Sequence, residues 1–189
     1  MICIKNVFKI VAIITLLAVL SNVSAAATDV ILQPSSQILE PGETFTIDVF
    51  VSPDVDIAGM QFDLLYDSSK FQVEGVNEGN LFKQSGMGTF FVGAPMNSGL
   101  LGDTYGCILG AADVSTPATF ASITVTVNEQ ASGRSAFILK DTVISSPTGN
   151  AVDIGIINTE VSILVFDIDQ GHMVDNGYNM GAAPYPSGT

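Results

Sequence analysis

The sequence has no tryptophan, one histidine (His172) and two cysteines, Cys3 and Cys107. Each scarcity removes a class of chemistry. Without tryptophan the chain lacks the best ring for a coplanar aromatic platform, the usual means of stacking sugars. With His172 as the one imidazole, a Cys–His nucleophile pair would have to be Cys107 and His172. Two cysteines allow one disulfide at most, and none if Cys3 is removed with a leader. Basic residues are scarce too: six Lys and Arg stand against 19 Asp and Glu, a net charge of −13. Such a surface repels nucleic acid and anionic lipid, so neither is expected as a partner.

What the chain does contain begins with a leader pattern. Lys5 and Lys9 precede an apolar run from Ile10 to Leu20, broken only by Thr15, and small residues follow from Ser21 to Ala27. A positive segment, a short apolar segment and a small-residue cleavage site make a secretory signal, too short to span a bilayer. Residues 1–26 are therefore expected to be cleaved, giving an extracellular or cell-surface protein and leaving Cys107 alone.

The next 140 residues alternate with period two. Phe45, Ile47, Val49 and Val51 alternate with Thr44, Thr46, Asp48 and Phe50; Ala121, Ile123, Val125 and Val127 alternate with Phe120, Ser122, Thr124 and Thr126. Period-two alternation marks strands with one buried face. A first strand is expected from Val30 to Leu39, interrupted near Pro34, and Glu40-Pro41-Gly42-Glu43 reads as a turn. No helical stripe follows the leader. Many short strands with turn signals between them predict an all-β sandwich over residues 28–166. From Gln170 the periodicity stops, and 167–189 reads as an irregular tail.

Candidate chemistry is thin. The acids sit at turns or on outward strand positions, and no facing pair of carboxylates stands out for glycoside hydrolysis. Cys107 reads as an idle thiol, because His172 falls in the tail. Asp167-Ile168-Asp169-Gln170-Gly171-His172 looks like the start of a calcium loop, but Gly171 occupies a ligand position and His172 the glycine position, and there is no second repeat. No metal and no catalytic residue is assigned.

The informative stretch is IAGMQFDLLYD, Ile57 to Asp67. Met60, Phe62, Leu64 and Tyr66 form an apolar set; Gly59, Gln61, Asp63 and Leu65 form the opposite face. That second face is odd for a solvated strand, which usually carries Thr, Lys or Glu. Within PGETFTIDVFVSPDVDIAGMQFDLLYDSSKFQVEGVNEGNLF, Pro41 to Phe82, the order of elements resembles the N-terminal half of cohesin domains, secreted modules that capture dockerins in cellulosome-type assemblies. Cys107-Ile108-Leu109-Gly110-Ala111-Ala112 and Thr119-Phe120-Ala121-Ser122-Ile123 look like later strands of that family. The form with Val114-Ser115-Thr116-Pro117 is similar to cohesins of methanogenic archaea.

The resemblance implies a nine-stranded jelly-roll β-sandwich and a non-catalytic docking function. It places a partner-binding face on Gly59, Gln61, Asp63 and Leu65, with Leu109 and Ala111 on the neighbouring outward positions. The expected partner is a dockerin-bearing protein, with calcium on the dockerin and no cofactor on this chain, which is expected to be a monomer. The family's Asn or Asp at two of these positions is replaced by Gly59 and Gln61, a departure that bears on the class of partner rather than on the fold. Two other functions remain open. Phe50 and Phe120, both outward by alternation on adjacent strands of the other sheet, would form an apolar patch for a polysaccharide; alternatively the domain is a structural module of a surface layer.

Overall fold

Alternation becomes burial in the structure. In the computed structural model, which describes residues 27–93, 96–97, 99–167 and 172–174, Thr44–Ser52 is a strand whose Phe45, Ile47, Val49 and Val51 are buried and whose Thr46, Asp48 and Phe50 are half-buried. In chain order the strands are β1 (Thr28–Pro34), β2 (Ile38–Leu39), β3 (Thr44–Ser52), β4 (Gly59–Leu65), β5 (Phe71–Glu78), β6 (Thr89–Val92), β7 (Met96–Asn97), β8 (Leu100–Ile108), β9 (Ala118–Val127), β10 (Gly133–Ser145), β11 (Ile154–Ile157) and β12 (Thr159–Ile163). A 3₁₀ turn, Phe82–Ser85, precedes β6. The leader 1–26 lies outside the described residues.

The strands form two sheets, one of five in the order β11-β1-β3-β9-β5 and one of seven in the order β2-β12-β10-β4-β8-β6 with β7 also on β8. The sandwich is the one the alternation predicts. It holds more strands than nine because several are short pieces, such as the two-residue β2 and β7. β1 and β2 lie in different sheets. The chain turns the corner just after Pro34, which has no N–H to continue a ladder. The expected turn at Glu40–Glu43 is present: Gly42 takes the left-handed φ of +79°, and the Glu43 carboxylate accepts the Glu40 N–H at 2.8 Å.

The inner faces meet in an aromatic core. Phe137 of β10 packs on Phe45 and Phe71 of the five-stranded sheet, and Phe62 of β4 packs edge-to-face on Phe120 of β9. Each such ring, fully buried, contributes about 1.5–3 kcal/mol by removal from water alone.

Phe120 corrects the sequence reading. Alternation predicts it outward beside Phe50, but it is 1% exposed and touches Phe62, Phe82 and Phe91. The reason is a β-bulge. Val49 pairs with Ala121 and Phe50 with Thr119, so Phe120 is an extra residue without a cross-strand partner. One extra residue rotates the local chain and turns two successive side chains, Phe120 and Ala121, to the core. Phe50 does face outward, half-buried, so the proposed two-aromatic patch has one member.

A short hairpin of β13 (Val165–Asp167) and β14 (His172–Val174) pairs Asp167 with His172. Backbone pairing thus extends into the expected tail. Residues 168–171 of the calcium-loop-like motif and the remainder from 175 lie outside the described residues.

Candidate functional site

β4 lies in the middle of the seven-stranded sheet, between β8 and β10, so its outward residues have neighbours on both sides. The ladder sets the rows. Gly59 is opposite Cys107 on β8 and Ser145 on β10; Gln61 is opposite Tyr105 and Val143; Leu65 is opposite Leu100 and Ile138. On the edge strand β6, Phe90 is opposite Cys107. The result is a sheet face with exposed Tyr105, Phe90 and Val143 near Gln61, and exposed Leu65 and Leu100 beyond the row of Asp63 and exposed Lys140. The Gln61 amide has no hydrogen-bond partner among the described residues, which leaves it available to another molecule.

The six positions expected on this face fare differently. Gln61 and Leu65 are exposed at its centre and end. Gly59 belongs to the same row but is buried, because Ser145 and Cys107 lean over it: a Cβ there would stand 2.7 Å from Ser145 Oγ and 3.7 Å from Cys107 Cβ. Leu109 is 52% exposed, one residue past the end of β8, where its N–H bonds the Gly88 carbonyl. It extends the face towards Met87, also exposed. Ala111 lies further along the chain. It is exposed, but β8 ends at Ile108 and Gly110 has φ +123°, so strand alternation does not carry to it; it sits in the loop before β9.

Asp63 is on the face with an internal task. Its Oδ1 accepts the Asp103 N–H at 2.8 Å. Asp103 has φ +56° and lies in a bulge, since Phe62 pairs with Thr104 while Leu64 pairs with Leu101. β10 bulges beside the same residue: Lys140 pairs with Asp63, Val143 with Gln61, and Asp141 has φ +46°. Strained left-handed backbone in a non-glycine residue persists only where surroundings hold it. Here the Asp63 carboxylate holds one of the two bulges that flank β4, and these set which side chains of β8 and β10 reach the face.

Phe90, Leu100, Tyr105 and Val143 were not found from the sequence. Tyr105 was within reach: it has the parity of Cys107 and Leu109. The other three depend on bulges or on pairing partners that no local pattern shows.

Among the described residues, no three His, Cys, Asp or Glu side chains come together to hold a metal ion. The thiol of Cys107 is half-buried and free. One carboxylate is clearly perturbed: Asp67, in the turn after β4, is held below the usual carboxylate range chiefly by the Ser69 hydroxyl and then the Ser69 N–H, with Lys70 adding to the effect.

A sandwich of this kind is found in known proteins. The family model of the cohesin domain matches residues 30–165. The chain belongs to the cohesin family. Among solved structures it is similar to a non-cellulosomal cohesin from the archaeon Archaeoglobus fulgidus, at TM-score 0.59 and 18% identity over 77% of this chain and 96% of that one. A type I cohesin–dockerin complex from Clostridium thermocellum matches at TM-score 0.59 and 17% identity, over 73% of this chain and 99% of that one. The cohesin module of a family 33 glycoside hydrolase from Clostridium perfringens matches at 0.59 and 14%, over 74% and 98%. No curated protein matches in sequence. Identities this low establish the shared cohesin fold, and the face described above is this chain's own.

Proposed function

We propose that this cohesin is a secreted, non-catalytic module that docks a calcium-loaded dockerin on the outward face of β4, β8 and β10. One observation carries the reading: the face groups exposed Phe90, Tyr105 and Val143 beside an unpartnered amide, with exposed Leu65 and Leu100 beyond the Asp63–Lys140 row, on a chain that is otherwise rich in acids. Contiguous exposed apolar surface with polar groups inside it is the pattern of a protein interface. Solved cohesins similar in fold to this chain include complexes with dockerins, which supports a dockerin as the partner of this face. The leader pattern and the family support assembly outside the cell, on polysaccharide-degrading or surface complexes.

The carbohydrate-binding alternative loses its basis on the five-stranded sheet with Phe120 in the core. On the seven-stranded sheet Phe90 and Tyr105 are neighbours, but their rings are tilted by 46° at 6.1 Å and make no flat platform.

The test is titration calorimetry against a panel of dockerins, in calcium and in chelator. Leu65→Glu and Leu109→Glu place an unpaired charge against the bound partner and should each weaken binding by about 10²-fold or more, with thermal melts unchanged. Chelation should abolish binding by unfolding the dockerin loop while leaving this domain's unfolding curve as it is. Both glutamate variants binding like wild type would refute the face.

A further inference from the structure

The outward face is not flat. Gly59, Cys107 and Ser145 floor a hollow of about 410 Å³, Phe90, Tyr105 and Val143 stand around it, and Gln61 also lines it. Residue size makes it. Gly59 has no side chain, and its two cross-strand neighbours are small. The three rim residues are each more than 40% exposed, so their apolar surface is turned to solvent and to the hollow. The volume is near the lower end of the range for ligand pockets, about 300–1,000 Å³, but the hollow lies open on a sheet surface rather than enclosed, which suits one protruding side chain better than a buried small molecule.

Its chemistry selects the side chain. The lining holds no carboxylate and no ammonium or guanidinium group; its polar side chains, those of Gln61, Tyr105, Ser145 and Cys107, are uncharged or weakly polar. On a chain of net charge −13, a recess meant for lysine or arginine would be expected to present one of its many acids; Asp63, the acid on this face, is outside the hollow and engaged with Asp103. A cation there would lose hydration with no counter-ion. A serine or threonine would leave most of the volume empty and the rim rings uncovered. We propose that the hollow is the anchor pocket for one large uncharged aliphatic side chain of the partner, leucine, isoleucine or methionine, and that Gly59 and Ser145 set specificity by keeping it open. This rests on the docking reading above and adds the chemistry of the partner's central contact.

The test uses a recombinant calcium-loaded dockerin that binds the wild-type chain. Ser145→Leu fills the hollow from β10. Methyl methanethiosulfonate fills it from β8, by replacing the thiol hydrogen of Cys107 with a methylthio group in the already folded protein. Each should weaken binding by about tenfold or more. Thiol reductant should restore the affinity of the modified chain, and Cys107→Ser should be insensitive to the reagent. Alanine at the dockerin's anchor residue should weaken binding to wild type yet cost little against Ser145→Leu, a non-additivity that a folding defect would not produce. The anchor proposal is overturned if both filled forms bind like wild type while Leu65→Glu abolishes binding; the face would then dock its partner without using the hollow. If no dockerin binds the wild-type chain, the docking reading fails and the anchor proposal fails with it.

Discussion

Replacing Phe120 with alanine tests the bulge in β9 and, through it, which sheet can present a ligand surface. The ring is 1% exposed and meets Phe62, Phe82 and Phe91 at centroid distances of 6.0, 5.5 and 5.6 Å, all edge-to-face. Truncating a core phenylalanine costs about 3–5 kcal/mol through lost burial and the cavity left behind. Edge-to-face pairs add about 0.5–1.5 kcal/mol each beyond burial, so three of them place Phe120→Ala in the upper half of that range. For a domain of this size each kcal/mol lowers Tm by about 3–4 °C, giving a fall of roughly 12–20 °C. Phe50→Ala removes a half-buried ring from the outer face of β3 and should cost about 1 kcal/mol. Thermal melts followed by circular dichroism, with urea unfolding for free energies, separate the two. A Phe62→Ala and Phe120→Ala cycle should be non-additive by at least about 0.5 kcal/mol, since the rings touch. Equal, small losses for Phe50→Ala and Phe120→Ala would mean that both rings face solvent. The bulge assignment would be wrong and the polysaccharide patch would return.

Asp63→Ala should cost about 1–2 kcal/mol by urea unfolding, because it frees the N–H of Asp103 and releases left-handed backbone; Asp103→Gly should recover part of that loss, and a cost under about 0.5 kcal/mol would show that the carboxylate does not hold the bulge. Asp67 has a folded-state pKa below its unfolded value, so its contribution is present above the unfolded pKa, about 3.9, and is lost as pH falls through the lower folded value. Stability measured from pH 5 downward should therefore decline less steeply in Asp67→Asn than in wild type, and identical acid limbs would contradict this.

Much of the sandwich was legible because β3, β4 and most of β9 alternate without interruption, and alternation is a local property of sequence. The failures share one cause. Phe120, Asp103 and Asp141 lie in or beside bulges, and a bulge is defined by the partner strand, which the local sequence does not contain. Each bulge shifts the parity of the residues beyond it in its own strand, so one extra residue in β9 moved an aromatic from surface to core. The site was half legible for the same reason. Gln61 and Leu65 sit on the one strand read in full, whereas Val143 and Leu100 reach the face only through the shifted registers of β10 and β8. The recess at Gly59 depends on the smallness of Cys107 and Ser145, which are remote in sequence and meet only across the ladder.

An exposed apolar face invites self-association, and the net negative charge of this chain opposes it. Beyond residue 26 the basic residues are Lys70, Lys83, Arg134 and Lys140, against all 19 acids. Lys83 is 3.1 Å from Glu78 and Arg134 is 3.7 Å from Glu160, while Lys70 donates to the Arg134 carbonyl. The surplus of negative charge makes two copies repel at distances up to the Debye length, about 30 Å at 0.01 M salt and 3 Å at 1 M. Sedimentation velocity should therefore show a monomer at low salt and a weak dimer at about 1 M sodium chloride, where repulsion is screened and apolar contact is not. Val143→Glu should abolish the high-salt dimer, because its carboxylate would have to be desolvated against the second copy. Thr124→Glu adds the same charge on the outer side of β9, in the other sheet, and should leave the dimer in place. If both substitutions abolish it, net charge alone governs association. If neither does, the copies meet through another surface, and the β4–β8–β10 face is not the sticky side of the domain.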